Sequence, residues 1–214
     1  MDVEKAILNR RSIRKFKDLP VEAEKIAALL EAARLAPSGS NRQPWRFLVL
    51  EDPDIRKLVA AVSPQVFVGQ APVIIICYAD LRCWLPARIK RGWKELMNSG
   101  TVHGKDMELD LSLLSSNPLD TREQELQNYI PHAFLDVGIA IEHMALAALE
   151  HGLGTCWCRL VDESKLQEIF KLPDYYKFVS MLLVGYPDQQ PSPRPRKNVE
   201  YLLIKPGEEI KEQT

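Results

Sequence analysis

Pro37-Ser38-Gly39-Ser40-Asn41-Arg42-Gln43-Pro44-Trp45-Arg46-Phe47 sets two prolines, a glycine and small polar residues directly before an apolar run. That order makes a loop that feeds a strand and offers backbone groups to a ligand. Upstream, Arg10-Arg11-Ser12-Ile13-Arg14 packs three guanidinium groups into five residues. Guanidinium forks match phosphate oxygens bidentately, and the serine hydroxyl adds a donor to the same anion. Together the two segments point to a phosphorylated, planar small molecule. Each alone has a blander reading: a basic run through Lys17 is commonly a solvated face or a weak nucleic-acid patch, and a Pro/Ser/Gly/Asn segment is commonly only a loop.

Composition narrows the choice. A chain of 214 residues, 46% hydrophobic and 27% charged, fits one globular domain with a sizeable core. The formal net charge of −1 argues against nucleic acid as a partner, so the arginine cluster is a local feature. No apolar stretch is expected to reach the roughly 20 residues of a membrane span, and Met1-Asp2-Val3-Glu4 lacks a signal-peptide pattern. A cytoplasmic protein without a membrane partner is the expectation. Cys77, Cys83, Cys156 and Cys158 show no Cys-x-x-Cys spacing; buried reduced thiols fit better than a disulfide or zinc site.

Outward from the loop, Asp2 caps a short helix to Asn9, and a second helix carries Ile26, Leu29, Leu30 and Ala33 on one stripe and stops before Pro37. Strands are expected at 45–51, 73–78, 155–158 and 178–184, with short helices opening at Pro53 and Glu163. Residues 81–120 read as an irregular insertion, the candidate substrate lid, with Trp84 and Trp93 on a possible helix. From Thr121 to Glu150 helical periodicity returns, with Pro131 expected to kink or divide it and a broad apolar surface suited to a core or dimer interface. Alternate prolines in Pro191-Ser192-Pro193-Arg194-Pro195-Arg196 make an extended arm, and Glu200–Ile204 reads as a last short strand.

No hydrolytic or metal constellation is evident. His143 and His151 are too far apart for a two-ligand helical turn, and there is no glycine-rich phosphate loop. A nucleotide would have to be held by arginine side chains.

The arginine segment and the Pro37–Phe47 stretch, at this separation and in this order, resemble the nitroreductase family of FMN-dependent oxidoreductases over about Val3 to Leu203. The resemblance implies an α+β fold: a central, mainly antiparallel sheet flanked by helices, in a single FMN-binding domain spanning 1–214. An extended C-terminal arm over 186–214 would add a strand to the partner subunit. It assigns Arg10, Arg11, Ser12 and Arg14 to the FMN phosphate and ribityl chain. Pro37, Ser38, Gly39, Ser40 and Asn41 would reach the isoalloxazine ring of the partner subunit, with Arg194 and Arg196 closing over the phosphate. Trp157, Cys158, Arg159 and Leu160 occupy the place where backbone amides meet the reacting edge of the ring. Arg159 either lies near that edge as a modulator on the substrate side or turns to solvent.

No catalytic side chain is implied. FMN carries the redox chemistry in a homodimer, with NADH or NADPH as donor and a nitroaromatic, quinone or similar flat acceptor. Rival readings on the same fold are a reductive dehalogenase-like or flavin-fragmenting relative and a catalytically inert flavin-binding module. An anion-binding interaction protein is a further alternative.

Overall fold

The fold is organised by Val73–Asp80 (β2), a strand buried along its whole length. Alternation sends Val73, Ile75, Cys77 and Ala79 into one core and Ile74, Ile76 and Tyr78 into the other. A strand apolar on both faces needs a neighbour on each edge and a layer on each side. The computed structural model, which describes residues 2–100 and 125–204, supplies both. The described strands form an antiparallel sheet in the order β1-β2-β4-β3, with β1 at Trp45–Leu50, β3 at Gly154–Cys158 and β4 at Tyr176–Gly185. The expected α+β class is what is observed.

One irregularity keeps the two cores separate. Tyr78 pairs with Phe178 and Cys77 with Ser180, leaving Val179 as an extra residue on β4. This bulge flips the facing of β4. Val179, Leu182 and Val184 therefore enter the first core, while Phe178, Met181 and Leu183 enter the second.

Helices α1 (Val3–Asn9) and α2 (Ala23–Arg34) precede β1, and α3 (Pro53–Ala61) follows it. Asp2 caps α1 by accepting from the Glu4 amide, and Asp52 caps α3 through the amides of Asp54 and Ile55, with Pro53 in the first turn. Beyond β2 come α4 (Pro86–Asn98), α5 (Ile130–Glu150) and α6 (Glu163–Phe170). Ile26, Leu29 and Ala33 of α2 pack with Val137, Ala140, Ile141 and Met144 of α5 over one face of the sheet.

Several expectations change. Residues 81–98 are regular rather than irregular: a 3-10 turn at Leu81–Trp84 leads into α4, and Leu81, Cys83, Trp84 and Ile89 are buried. The remainder of the expected lid, 101–120, lies outside the described residues. Pro131 divides the helical run, the second of the two outcomes expected for it: a 3-10 helix at Glu125–Tyr129 gives way to α5, and the proline sits in the first turn of α5, where its missing N–H leaves no acceptor wanting. The expected strand at 200–204 is instead a 3-10 turn at Val199–Leu202. Its run of apolar and aromatic residues suits a strand, but among the described residues it pairs with none. Leu126–Glu150 is, against expectation, long and apolar enough by composition to cross a membrane. In the fold its buried stripe packs in the core beside α2 and the sheet.

Residues 12–17 run as an added ribbon along the open side of β3 and past the end of β4. Ser12 bridges Thr155 in parallel and Phe16 bridges Pro187 antiparallel. The Ile13 amide donates to the Thr155 carbonyl at 2.8 Å, and the Lys17 amide to the Tyr186 carbonyl at 2.8 Å. Gly154 and Gly185, cross-strand partners, leave the room this needs. A methyl group at Gly154 would sit 2.6 Å from Ile13 Cγ1 and 3.1 Å from its Cβ; at Gly185 it would meet Pro72 and Phe16.

Gly154→Ala therefore overpacks against Ile13. The expected loss is about 1–3 kcal/mol, read as a fall in Tm of about 2–4 °C per kcal/mol. In the double variant with Ile13→Ala the two losses should be far from additive, because the clash is then removed. An unchanged Tm in Gly154→Ala would contradict the slot.

Candidate functional site

The ribbon that docks on β3 carries the arginines. Arg11 folds back to donate to the carbonyls of Leu8 and Arg10 at 2.7 and 2.9 Å. Arg14 lies over the Phe67 ring, 5.6 Å from its centroid, and Arg10 pairs with Glu142 of α5 at 3.4 Å. Among the described residues Arg11 and Arg14 have no carboxylate partner. Burial raises the Cys156 thiol pKa; Arg14, Arg10 and the Ser12 hydroxyl oppose it, so these three residues gather over β3. Arg10 and Arg11 also line a cavity of about 490 Å³ with Thr155, Leu153 and the chain from Pro187 to Pro191.

Two residues beyond Thr155 is Trp157, whose indole Nε1 is buried and has no partner. The segment after it is pinned from several sides. Cys158 Sγ donates to Gln65 Oε1 at 2.6 Å, the Ser180 hydroxyl donates to the Cys158 carbonyl, and Ser63 Oγ donates to the Leu160 carbonyl at 2.7 Å. Burial, with the neighbouring Cys156, pushes the Cys158 thiol up to about 11, so it stays protonated near neutral pH. The guanidinium of the exposed Arg159 lies 5.8 Å from the Phe134 ring centroid on α5. Leu160 is exposed.

The loop from Pro37 is built from unusual backbone. Ser40, Asn41 and Gln43 all have positive φ, near 50°, which non-glycine residues adopt at a cost of about 1 kcal/mol or more each. Local bonds compensate. Ser38 Oγ accepts from the Gln43 amide at 2.9 Å, the Gln43 side chain donates to Asn41, and the Gly39 amide donates to Asp136 Oδ1 at 3.2 Å. Asp136 sits almost fully buried on α5; burial raises its pKa, and the Gly39 amide and Arg42 pull the other way. Against the outer side of the loop, α4 approaches so closely at Gly92 that a methyl group there would lie 2.7 Å from the Ser40 carbonyl oxygen.

Arg194 and Arg196 are exposed on the extended arm, with Arg196 donating only to the Arg194 and Pro195 carbonyls. Within one subunit they are not brought to Arg10–Arg14; the arm reaches that cavity only as far as Pro191. Sequence reading missed Asp136 and Asp80. The signal for Asp136 was a carboxylate on the apolar stripe of a helix, between Ala133 and Ala140.

Asp80, fully buried at the end of β2, is held by Arg82 through both oxygens at 2.9 Å and by Arg46 and Arg88 at 3.1 and 3.3 Å. Burial pushes its pKa up, but the Arg82 hydrogen bonds and the charge of Arg46 outweigh this and leave it below the ordinary 3.8. A carboxyl depressed on folding contributes its full stability above the unfolded value and loses it as pH falls through the folded one. Asp80→Asn should therefore lower Tm near neutral pH, with the gap to wild type closing only below about pH 4. A gap that is constant down to pH 2 would contradict the ion cluster.

Comparison with known proteins matches the family model "Nitroreductase family" over residues 7–186. An NADH dehydrogenase of Thermus thermophilus is 28% identical, covering 95% of this chain and 96% of that protein. An FMN reductase (NAD(P)H) of Bacillus subtilis is also 28% identical, over 91% and 70%. Among solved structures, one from Exiguobacterium sibiricum, described as a nitroreductase in complex with FMN, superposes with a TM-score of 0.76 at 22% identity over 96% of this chain and 97% of that one. A family match across most of the chain, on a fold shared end to end with a solved member, places this protein in the nitroreductase family.

Proposed function

We propose that the protein is an FMN-dependent NAD(P)H oxidoreductase that reduces flat, electron-poor acceptors such as nitroaromatics and quinones. One observation carries the reading: the Ser12–Thr155 bridge ties the arginine segment to β3, so cations without carboxylate partners lie beside the strand that holds Trp157. At roughly 3.3 Å per residue, Trp157 to Leu160 lie about 7–17 Å along the chain from that bridge. The FMN named for the Bacillus and Exiguobacterium proteins supports the same cofactor here.

The residues suit that cofactor. Arg11 and Arg14 keep guanidinium edges for a phosphate dianion, and Ser12 adds a hydroxyl donor. The orphaned Trp157 indole N–H is a donor awaiting an acceptor, since a buried N–H without a partner costs about 1–3 kcal/mol. When bound, FMN supplies the redox chemistry, taking hydride from the nicotinamide and delivering electrons to the acceptor. The chain positions and encloses: the pinned backbone at 158–162 holds the ring edge, and the strained 38–43 loop, preorganised by Ser38 and Asp136, is offered to a neighbouring subunit.

We infer a homodimer. Val3, Ile7 and Leu8 of α1 are exposed, as is Leu135 of α5, two helical turns before the Glu142 that Arg10 reaches. Apolar residues gathered on one side suit a second copy of the chain. Arg194 and Arg196, which pair with no carboxylate among the described residues, would then close over the phosphate.

The purified protein should be yellow and release FMN, not FAD or riboflavin, on denaturation. Arg14→Ala should weaken FMN binding by about tenfold or more, because a charge-assisted hydrogen bond contributes about 1.5–3 kcal/mol. Initial rates with NAD(P)H and a quinone should give parallel double-reciprocal lines, and unchanged FMN affinity in Arg14→Ala would refute the phosphate assignment. Dilution to nanomolar concentration should release FMN as the dimer dissociates, followed by sedimentation and flavin fluorescence. A monomer that stays yellow and active would overturn the shared site.

A further inference from the structure

A second cavity, of about 350 Å³, lies between the 41–46 segment and α4. Among the described residues, Arg42, Arg46, Arg88 and Arg91 line it against one carboxylate, Glu95. We propose that it is an anion subsite taking the phosphate monoester of a substrate whose other end reaches the flavin. The proposal rests on the oxidoreductase reading for that second clause alone.

The Asp80 cluster does not account for this cavity. Arg82 occupies both Asp80 oxygens, and Arg46 and Arg88 add one contact each, so a single buried charge already faces three cations. Arg42 has no part in that cluster. Its Nη1 donates to the Gly39 carbonyl, its plane lies 5.3 Å from the Trp84 ring centroid, and its buried Nε has no partner. Arg91 contributes a further cation and pairs with Glu95 at 2.8 Å. Asp136 of α5 opposes the charge of Arg42, but among the described residues the five guanidinium groups of Arg42, Arg46, Arg82, Arg88 and Arg91 still outnumber the carboxylates of Asp80, Glu95 and Asp136, and that excess is repulsive.

The walls are built rather than incidental. The contact at Gly92 brings α4 onto Ser40, and this sets Arg88 and Arg91, one turn and one residue before Gly92, across from Arg42 and Arg46. Stacked or half-buried arginines keep their planar edges for bidentate contact, which suits an anion with several oxygens. The excess of positive charge calls for a dianion, and the volume admits more than the phosphate group itself. Asn41 joins the cavity to the loop assigned to the flavin ring, and its Nδ2 donates to Glu95 at 3.5 Å. The phosphate therefore belongs to a molecule that also reaches the ring: the 2′-phosphate of NADPH, or a phosphorylated acceptor.

The test is calorimetry on FMN-loaded protein, in which the flavin's own phosphate site is filled. Adenosine 2′-monophosphate and phenyl phosphate should each bind at least tenfold more tightly than adenosine and phenol. Arg91→Gln, at an exposed helix position outside the core, should remove about tenfold of that preference, with flavin content unchanged. Arg42→Gln should also remove about tenfold of it and supplies an independent variant for the binding measurement. The two sources separate in turnover: an Arg91→Gln change confined to the NADPH-to-NADH ratio of KM identifies the donor, and one confined to KM for nitrophenyl phosphate against nitrophenol identifies the acceptor. No preference for the phosphorylated probes, or a preference that both variants retain, would overturn the subsite. Because binding is read without turnover, a protein that binds the probes yet oxidises neither nicotinamide would overturn only the oxidoreductase reading.

Discussion

The docking of residues 12–17 onto the edge of β3 is the contact on which the rest of the molecule depends. β3 is an edge strand, and an open edge exposes backbone groups that need partners. The Ile13 amide meets one of them at Thr155, while Lys17 and Asp188 continue the pairing beyond the end of β4. Ile13 and Phe16 fill the room left by Gly154 and Gly185. Through this ribbon the N-terminal arginines, more than 140 residues away in sequence from β3, become part of its surface. The same ribbon meets the start of the C-terminal arm, so both ends of the chain converge on one side of the sheet.

Charge is managed by placing two carboxylates inside the protein. Asp80 draws Arg46, Arg82 and Arg88 to the end of β2, and Asp136 holds the backbone of the 38–43 loop from α5. A buried charge without partners would be costly, so each carboxylate fixes the position of what it binds. The near-neutral net charge of the whole chain thus hides two strongly basic regions, one at Arg10–Arg14 and one where Arg42 and Arg46 meet Arg88 and Arg91.

Much of this was legible in the residues. β2 was readable because Val73-Ile74-Ile75-Ile76-Cys77-Tyr78 is apolar at both parities, and α3 and α6 were delimited by Asp52-Pro53 and Asp162-Glu163. Arg10–Arg14 and the Pro37 loop stood out by residue type. The helix at 86–98 was harder, since charged residues interrupt its apolar ones throughout and its buried positions are few. Glu200–Ile204 carries the apolar and aromatic residues of a strand, but pairing is a tertiary property, and among the described residues no strand pairs with it. Asp80, Asp136 and the Arg42 cavity could not be read from spacing, because their meaning comes from neighbours distant in sequence.

Anaerobic titration of the yellow protein with reduced nicotinamide tests the central claim most directly. The account predicts that NADH or NADPH bleaches the bound flavin stoichiometrically and that a quinone added afterwards restores its colour. A flavin that neither nicotinamide can bleach would contradict it.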